Sequence, residues 1–241
     1  MFGRRSTGTA SGAAGTGLRI TGLRTGYGKA VVLDGLDLQV TAGEIVGVAG
    51  PNGVGKSTLL RAISGVVPRT AKVLEFDGKP LHRDPVRTCA AGIVHVPEGR
   101  RLFAKLTVRE NLVVGALGRR VREHHKALDR IVGLLPRLEP MLERKAGLLS
   151  GGQQQLVAVG RGLIGEPRLL LVDELSLGLS PAAVNEVGAA TVAACREQGT
   201  ALLWVDQNIT TLTERCERLV LLADGTARPL EPSDSSGSVY F

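Results

Sequence analysis

Aromatic residues make up only 3% of the chain and tryptophan occurs once, so the interior has to be built from Leu, Val, Ile and Ala. A core of that kind is ordinary for a layered α/β protein. Cysteine is scarce too. Cys89, Cys195 and Cys216 are far apart and odd in number, which argues against a disulfide framework and against zinc-ligand spacing, and leaves a reduced, cytoplasmic setting as the expectation. No apolar run approaches the roughly 18 residues that a membrane-spanning helix needs, and Met1 to Gly17 lacks the apolar segment of a secretory signal. A role at a membrane therefore requires another chain to hold this one there. Internal repeats and sustained heptads are also missing, which sets aside solenoids and long coiled coils.

A length of 241 residues suits one large α/β domain or a core domain carrying a smaller inserted one. The net charge of +7 suits an anionic partner, whether nucleotide, nucleic acid or membrane surface. Its densest group, Arg119, Arg120, Arg122, Lys126 and Arg130, also holds Glu123 and Asp129, as a solvated helix face would. Residues 1–17 are rich in Gly, Ser, Thr and Ala without periodicity, the composition of a disordered tail. Leu18, Ile20 and Leu23, then Leu36, Leu38 and Val40, read as strands, and the apolar run Ile45 to Ala49 reads as a strand buried on both faces.

From about Pro85 to Gly165 the chain reads as mostly helical. Thr107 and Glu110 form a capping box ahead of Leu112, Val113 and Leu117. After Arg168, strand and helix alternate again: Leu169 to Val172 is a buried strand, Ser180 with Pro181 starts a helix that Gly199 ends, and Ala201 to Val205 is a further strand. The expected layout is a tail at 1–17, a domain at 18–228 with a helical subdomain at about 90–165, and a short tail at 229–241.

Gly50-Pro51-Asn52-Gly53-Val54-Gly55-Lys56-Ser57 matches the phosphate-binding loop, and it has the required context of a buried strand before it and a helical S-T-L-L-R-A-I-S after it. The glycines let successive N–H groups turn toward phosphate oxygens, helped by the positive end of the helix. Lys56 then reaches the β and γ phosphates and the Ser57 hydroxyl ligates Mg²⁺, with Thr58 completing the loop. Leu169 to Glu174 is a buried strand ending in two carboxylates. Asp173 is placed to hold Mg²⁺, and Glu174 to orient or deprotonate a water.

Leu149-Ser150-Gly151-Gly152-Gln153 stands shortly before that second motif. Here the chain resembles the ATP-binding cassette family, whose signature is this pentapeptide. A Ser-Gly-Gly at a helix start is a second anion nest, and two phosphate half-sites that cannot meet in one chain imply a dimer. The resemblance implies a P-loop core with a mainly parallel sheet, an antiparallel β portion and an inserted α-helical subdomain. It further implies ATP and Mg²⁺ as cofactors and trans contacts from Ser150, Gly151, Gly152 and Gln153. Tyr27, in T-G-Y-G-K, lies where the family places an aromatic against adenine.

A narrower resemblance runs through Val96 to Leu112, V-P-E-G-R-R-L-F-A-K-L-T-V-R-E-N-L, with D-E-L-S-L-G-L-S-P and V-D-Q-N further on. These look like the second ATPase of branched-chain amino acid importers, with urea and amide importers as near relatives, over about Leu18 to Asp224. In that subgroup Glu98 takes the place of the usual Gln, which implies a part in sensing the γ phosphate or metal, and Gln207 takes the place of the switch His. Permeases, a companion ATPase and, indirectly, an extracytoplasmic solute-binding protein are the implied partners at the cytoplasmic face of the membrane, with no nucleic acid. Leu175 departs from the pattern, standing where Pro follows the catalytic Glu, and the turn behind Glu174 is expected to relax. A soluble ABC protein of DNA repair or translation fits less well, since such chains carry two cassettes or long coiled coils. A regulator without turnover is opposed by Glu174, although Gln207 and Leu175 leave it open.

Overall fold

The computed structural model describes residues 17–230, so the two expected tails lie outside it apart from their inner ends. At the first of these, the Gly17 N–H donates to Asp77 Oδ1 at 3.0 Å and its carbonyl accepts from the Asp77 N–H at 2.8 Å. The chain then runs β1 (Leu18–Tyr27), β2 (Ala30–Val40), β3 (Ile45–Ala49), α1 (Lys56–Ile63), β4 (Arg69–Thr70), β5 (Val73–Phe76), β6 (Lys79–Pro80), α2 (Pro85–Ala90) and β7 (Ile93–Val96). It continues with α3 (Val108–Gly118), α4 (His124–Leu134), two short 3₁₀ turns, α5 (Gly151–Leu163), β8 (Leu169–Asp173), α6 (Pro181–Gln198), β9 (Ala201–Asp206), α7 (Ile209–Thr213), β10 (Arg218–Ala223) and β11 (Thr226–Pro229).

β1 pairs antiparallel with β2, β4 and β5, and β6 extends that sheet. Leu18, Ile20 and Leu23 are all buried, although their spacing breaks the two-residue period of a strand. The ladder shifts register between Ile20 and Leu23, and Gly22 between them has φ 63°; an extra residue there returns Leu23 to the inner face. The second sheet has the order β11-β10-β3-β9-β8-β7 and is parallel except for β11.

That second sheet separates two cores. Val46 and Val48 of β3, Leu169 and Leu171 of β8, and Leu203 and Val205 of β9 pack with α1 and the antiparallel sheet. The intervening Ile45 and Ala49, Leu170 and Val172, and Leu202 and Trp204 pack with the helical segment. Burial on both faces is the reason these strands read as unbroken apolar runs.

One expectation needs correction. The helical subdomain expected at about 90–165 contains β7, an edge strand paired parallel with β8. Four residues, I-V-H-V, are too few for periodicity to separate strand from buried helix. In α3 the capping box is as expected, with Glu110 N–H donating to Thr107 Oγ1 at 3.1 Å and Thr107 N–H to Glu110 Oε2 at 2.7 Å. The buried residues of α3 are Val108, Asn111, Leu112 and Ala116, and Leu117 is exposed. Within the basic group Lys126 pairs with Glu123 at the surface. Arg119 instead donates inward to the carbonyls of Cys89 at 2.7 Å and Ala90 at 2.8 Å, closing the end of α2 against α3. Helix α6 starts at Ser180 and Pro181 and ends at Gly199, φ 66°, as its sequence requires. The three cysteines are free, and burial pushes the Cys195 and Cys216 thiols up to about 12.

Leu170 is fully buried, and a Cβ placed on Gly162 of α5 would come within 3.0 Å of it. Leu170→Ala is expected to cost about 2–5 kcal/mol, measured by denaturant unfolding through the fluorescence of Trp204, which is itself fully buried. An unchanged midpoint would contradict the packing described.

Candidate active site

β7, β8, β9 and β3 are neighbours in the parallel sheet and bring their C-terminal ends to one edge, where open α/β sheets build ligand sites. Register decides which residues meet. Val96 pairs with Val172, Asp173 with Val205, and Ala49 with Asp206, so Glu98, Glu174, Gln207 and Gly50 all emerge just beyond paired strand ends.

The loop from Gly50 through Pro51, Asn52, Gly53, Val54 and Gly55 joins β3 to α1. Gly53 and Gly55 have φ 77° and 111°, conformations that only glycine takes readily, and a Cβ on Gly50 would lie 2.6 Å from the Leu222 carbonyl oxygen. The N-cap of α1 is Gly55, with no side-chain cap and no acidic residue in the first turn, so the first amides of the helix are left to an anion. Lys56 is 3% exposed, its Nζ donating to the carbonyls of Gly50 at 2.9 Å and Pro51 at 3.0 Å and lying 3.6 Å from Glu174 Oε1. Ser57 Oγ donates to Asp173 Oδ1 at 2.9 Å. Asp173 is fully buried and its Oδ2 has no partner. Burial pushes its carboxyl above the ordinary range against the Ser57 hydrogen bond, and the nearby charges of Glu174 and Glu98 push the same way as burial.

Tyr27 closes the site at the end of β1. Its Oη accepts from Arg61 at 3.0 Å and from Thr58 at 3.5 Å, while the residue remains 45% exposed. The Thr58 bond is the largest influence lowering its pKa, and burial opposes it. The phenol oxygen is thus tied to α1.

Glu174 has φ 46° and its N–H donates to Val205 O at 2.9 Å. The turn behind it, where the proline is missing, is held by its next two residues. Leu175 is fully buried in the core on the helical side, and Ser176 donates to Asp206 through Oγ at 2.7 Å and N–H at 3.2 Å. Asp206, fully buried, also accepts from the N–H groups of Gln207 at 2.8 Å and Asn208 at 3.1 Å. Sequence reasoning missed it, although L-W-V-D is, like L-L-L-V-D, an apolar strand ending in a carboxylate. Beyond Glu98, Gly99, Arg100 and Arg101 have φ 75°, 64° and 48°; three left-handed residues in a row are rare, and each non-glycine one costs about 1–3 kcal/mol. Arg161 of α5 offsets this by donating to the carbonyls of Arg101 at 2.7 Å and Arg100 at 2.9 Å.

The signature is placed elsewhere. Ser150 caps α5 in a capping box: Gln153 N–H donates to Ser150 Oγ at 3.4 Å and Ser150 N–H to Gln153 Oε1 at 3.0 Å. Ser150, Gly151, Gly152 and Gln153 line a cavity of about 420 Å³ with Leu179 and Ser180, and no residue from Gly50 to Thr58 borders it. The single chain therefore brings together Lys56, Ser57, Asp173, Glu174, Glu98 and Gln207 at one edge and keeps the signature apart.

Residues 33–176 match the family described as ABC transporter. The chain is 37% identical to the high-affinity branched-chain amino acid transport ATP-binding protein BraG of Pseudomonas aeruginosa, over 83% of this chain and 86% of that one. It is 31% identical to a probable branched-chain amino acid transport ATP-binding protein, LivF, of Archaeoglobus fulgidus, over 86% and 89%. The fold matches the crystal structure of a nucleotide-free ATP-binding cassette from an ABC transporter with a TM-score of 0.78 at 25% identity, covering 91% of this chain and 97% of that one. Site geometry, sequence and fold agree that the chain belongs to the ABC transporter family, as an ATP-binding subunit of the ATP-hydrolysing kind.

Proposed function

We propose that this chain is the second of two ATPases in an importer of branched-chain amino acids. The observation that carries the solute class is the 37% identity to BraG over most of both chains; Glu98 and Gln207, at the positions where this subgroup departs from the wider family, agree with it. No helix among the described residues is long and apolar enough to cross a membrane. In this reading permease subunits, the partners of ABC transporter ATPases, hold the chain at the cytoplasmic face. An extracytoplasmic binding protein selects the solute.

In this reading the adenine stacks on Tyr27 and the loop amides from Gly50 to Thr58 receive the phosphates. Lys56 exchanges its two carbonyl acceptors for the β and γ phosphate oxygens. Mg²⁺ fits beside Asp173: the unpartnered Oδ2, the Ser57 hydroxyl and the nearby Glu98 carboxylate offer only hard oxygen donors. An ion held there would take its remaining ligands from nucleotide and water. When bound, Mg²⁺ neutralises phosphate charge. Glu174, held at the mouth of the loop by its own backbone bond to β9, orients and deprotonates the attacking water. Glu174→Gln should lower turnover by about 10² to 10⁴-fold and leave ATP affinity intact. Turnover assays beside calorimetry check this, and near-normal turnover would remove Glu174 from its role.

Asp173 must be deprotonated to ligate the metal, and burial raises its pKa. The Mg²⁺-dependent part of ATP affinity should therefore weaken as pH falls, starting at a higher pH than an ordinary carboxylate would give. In Asp173→Asn that component and its pH dependence should both vanish, as read by titration with and without Mg²⁺ across a pH series. A Mg²⁺ effect of equal size in the variant would exclude Asp173 as a ligand.

Because the signature stands apart from the phosphate loop, Ser150, Gly151, Gly152 and Gln153 act on nucleotide held by a second subunit. That partner is a companion ATPase bearing the switch His that Gln207 replaces, since an amide offers hydrogen bonds but neither charge nor titration near neutral pH. Gln207→His should change turnover modestly, whereas removing the companion's His should be severe. Native mass measurement of the co-expressed complex tests the assembly, and a fully active transporter with two copies of this chain and no other ATPase would refute it.

A further inference from the structure

We propose that Arg100 is a positioning residue that ties the Glu98 turn to the signature helix and, at the same time, to the segment behind Glu174. The proposal rests on the reading of Glu98 as the group that senses phosphate or metal. The Arg100 guanidinium reaches two ways: Nη1 donates to Gln154 Oε1 at 3.2 Å, and Nη2 to the Leu177 carbonyl at 3.4 Å. Gln154 follows the signature directly and is held at its other end, where Nε2 donates to the carbonyl of Ala146 at 3.1 Å. Leu177 lies in the turn whose N–H returns to the carbonyl of Glu174 at 3.3 Å. The contact is close enough to constrain the signature itself, since a Cβ on Gly151 would fall 3.1 Å from Arg100 Nη2.

Both acceptors are uncharged, so the link depends on reach and planarity rather than on ion pairing. A forked guanidinium satisfies two separated acceptors at fixed angles; a lysine ammonium on a flexible stem does not. The base of the strut is firm. Gln154 and Arg161 stand about two helical turns apart on one face of α5, and both grip the turn, Gln154 at the Arg100 side chain and Arg161 at the carbonyls of Arg100 and Arg101. A displacement of Glu98 is therefore delivered to α5 as a whole, and α5 carries Ser150 at its start. Through Leu177 the same side chain reaches the turn that shapes Glu174. One residue thus links the chain's own phosphate edge to the half-site it offers to its partner.

Arg100→Gly separates the strut from the fold, because glycine takes the left-handed φ readily while the guanidinium is lost. The full-length chain, co-purified with its permeases and companion ATPase, is compared as wild type, Arg100→Gly, Arg100→Lys and Glu98→Ala for ATP affinity, KM, kcat and melting temperature. We expect Arg100→Gly to keep ATP affinity, KM and melting temperature and to lose roughly tenfold in kcat, the size of effect a coupling residue exerts, and Arg100→Lys to fail to restore it. A kcat within about twofold of wild type in Arg100→Gly, with Glu98→Ala impaired, overturns the role of Arg100 and leaves the reading of Glu98 standing. Both variants matching wild type overturns the two together. A melting temperature that falls along with kcat marks a purely structural residue, and full rescue by Arg100→Lys marks a charge effect; either result overturns the strut.

Discussion

A single buried carboxylate organises the catalytic edge. Asp206 has no exposed surface, yet it accepts from Ser176 twice, from the Trp204 indole N–H at 3.2 Å, and from the N–H groups of Gln207 and Asn208. A buried carboxylate is tolerable only with its lone pairs engaged, and engaging these ties together two segments distant in sequence. One is the turn behind Glu174, which lacks the family's proline and is instead anchored by Leu175 in the core and Ser176 on Asp206. The other is the turn that presents Gln207. Both depend on β9 lying between β3 and β8, so the strand order of the sheet is what makes the network possible.

Charge is handled differently at the neighbouring position. Lys56 is almost as buried, but its ammonium rests on two backbone carbonyls and near Glu174, partners that a phosphate can displace without moving the fold. Asp173 keeps one oxygen bonded to Ser57 and the other unpartnered, an arrangement that a cation of the kind proposed above would relieve. The phosphate edge is thus built with unsatisfied or exchangeable polar groups, while Asp206 beside it is fully satisfied. Rigid and exchangeable groups sit one strand apart because alternate side chains and neighbouring strands face different surroundings.

The helical segment answers a separate demand. It covers one face of the sheet, which Leu112, Leu156 and Leu163 do from α3 and α5, and it carries the signature at a cavity that no residue of the phosphate loop borders. The left-handed turn after Glu98 is where these demands meet, and its strain persists because α5 holds it from the side through Arg161.

Local chemistry was legible in the sequence. The phosphate loop, the paired carboxylates, the signature, the capping box at Thr107 and the limits of α6 each depend on residues a few positions apart, and glycine, serine and proline have the same stereochemical meaning wherever they occur. The tertiary structure alone decided what depends on distant partners. β7 is a strand because β8 offers it an edge, β4 and β5 exist only beside β1 and β6 only beside β5, and the bulge at Gly22 is visible only as a shifted ladder. Asp206, Arg100 and Arg161 matter through atoms that the sheet register and the packing of α5 bring to them, and no pattern within the sequence places those atoms side by side.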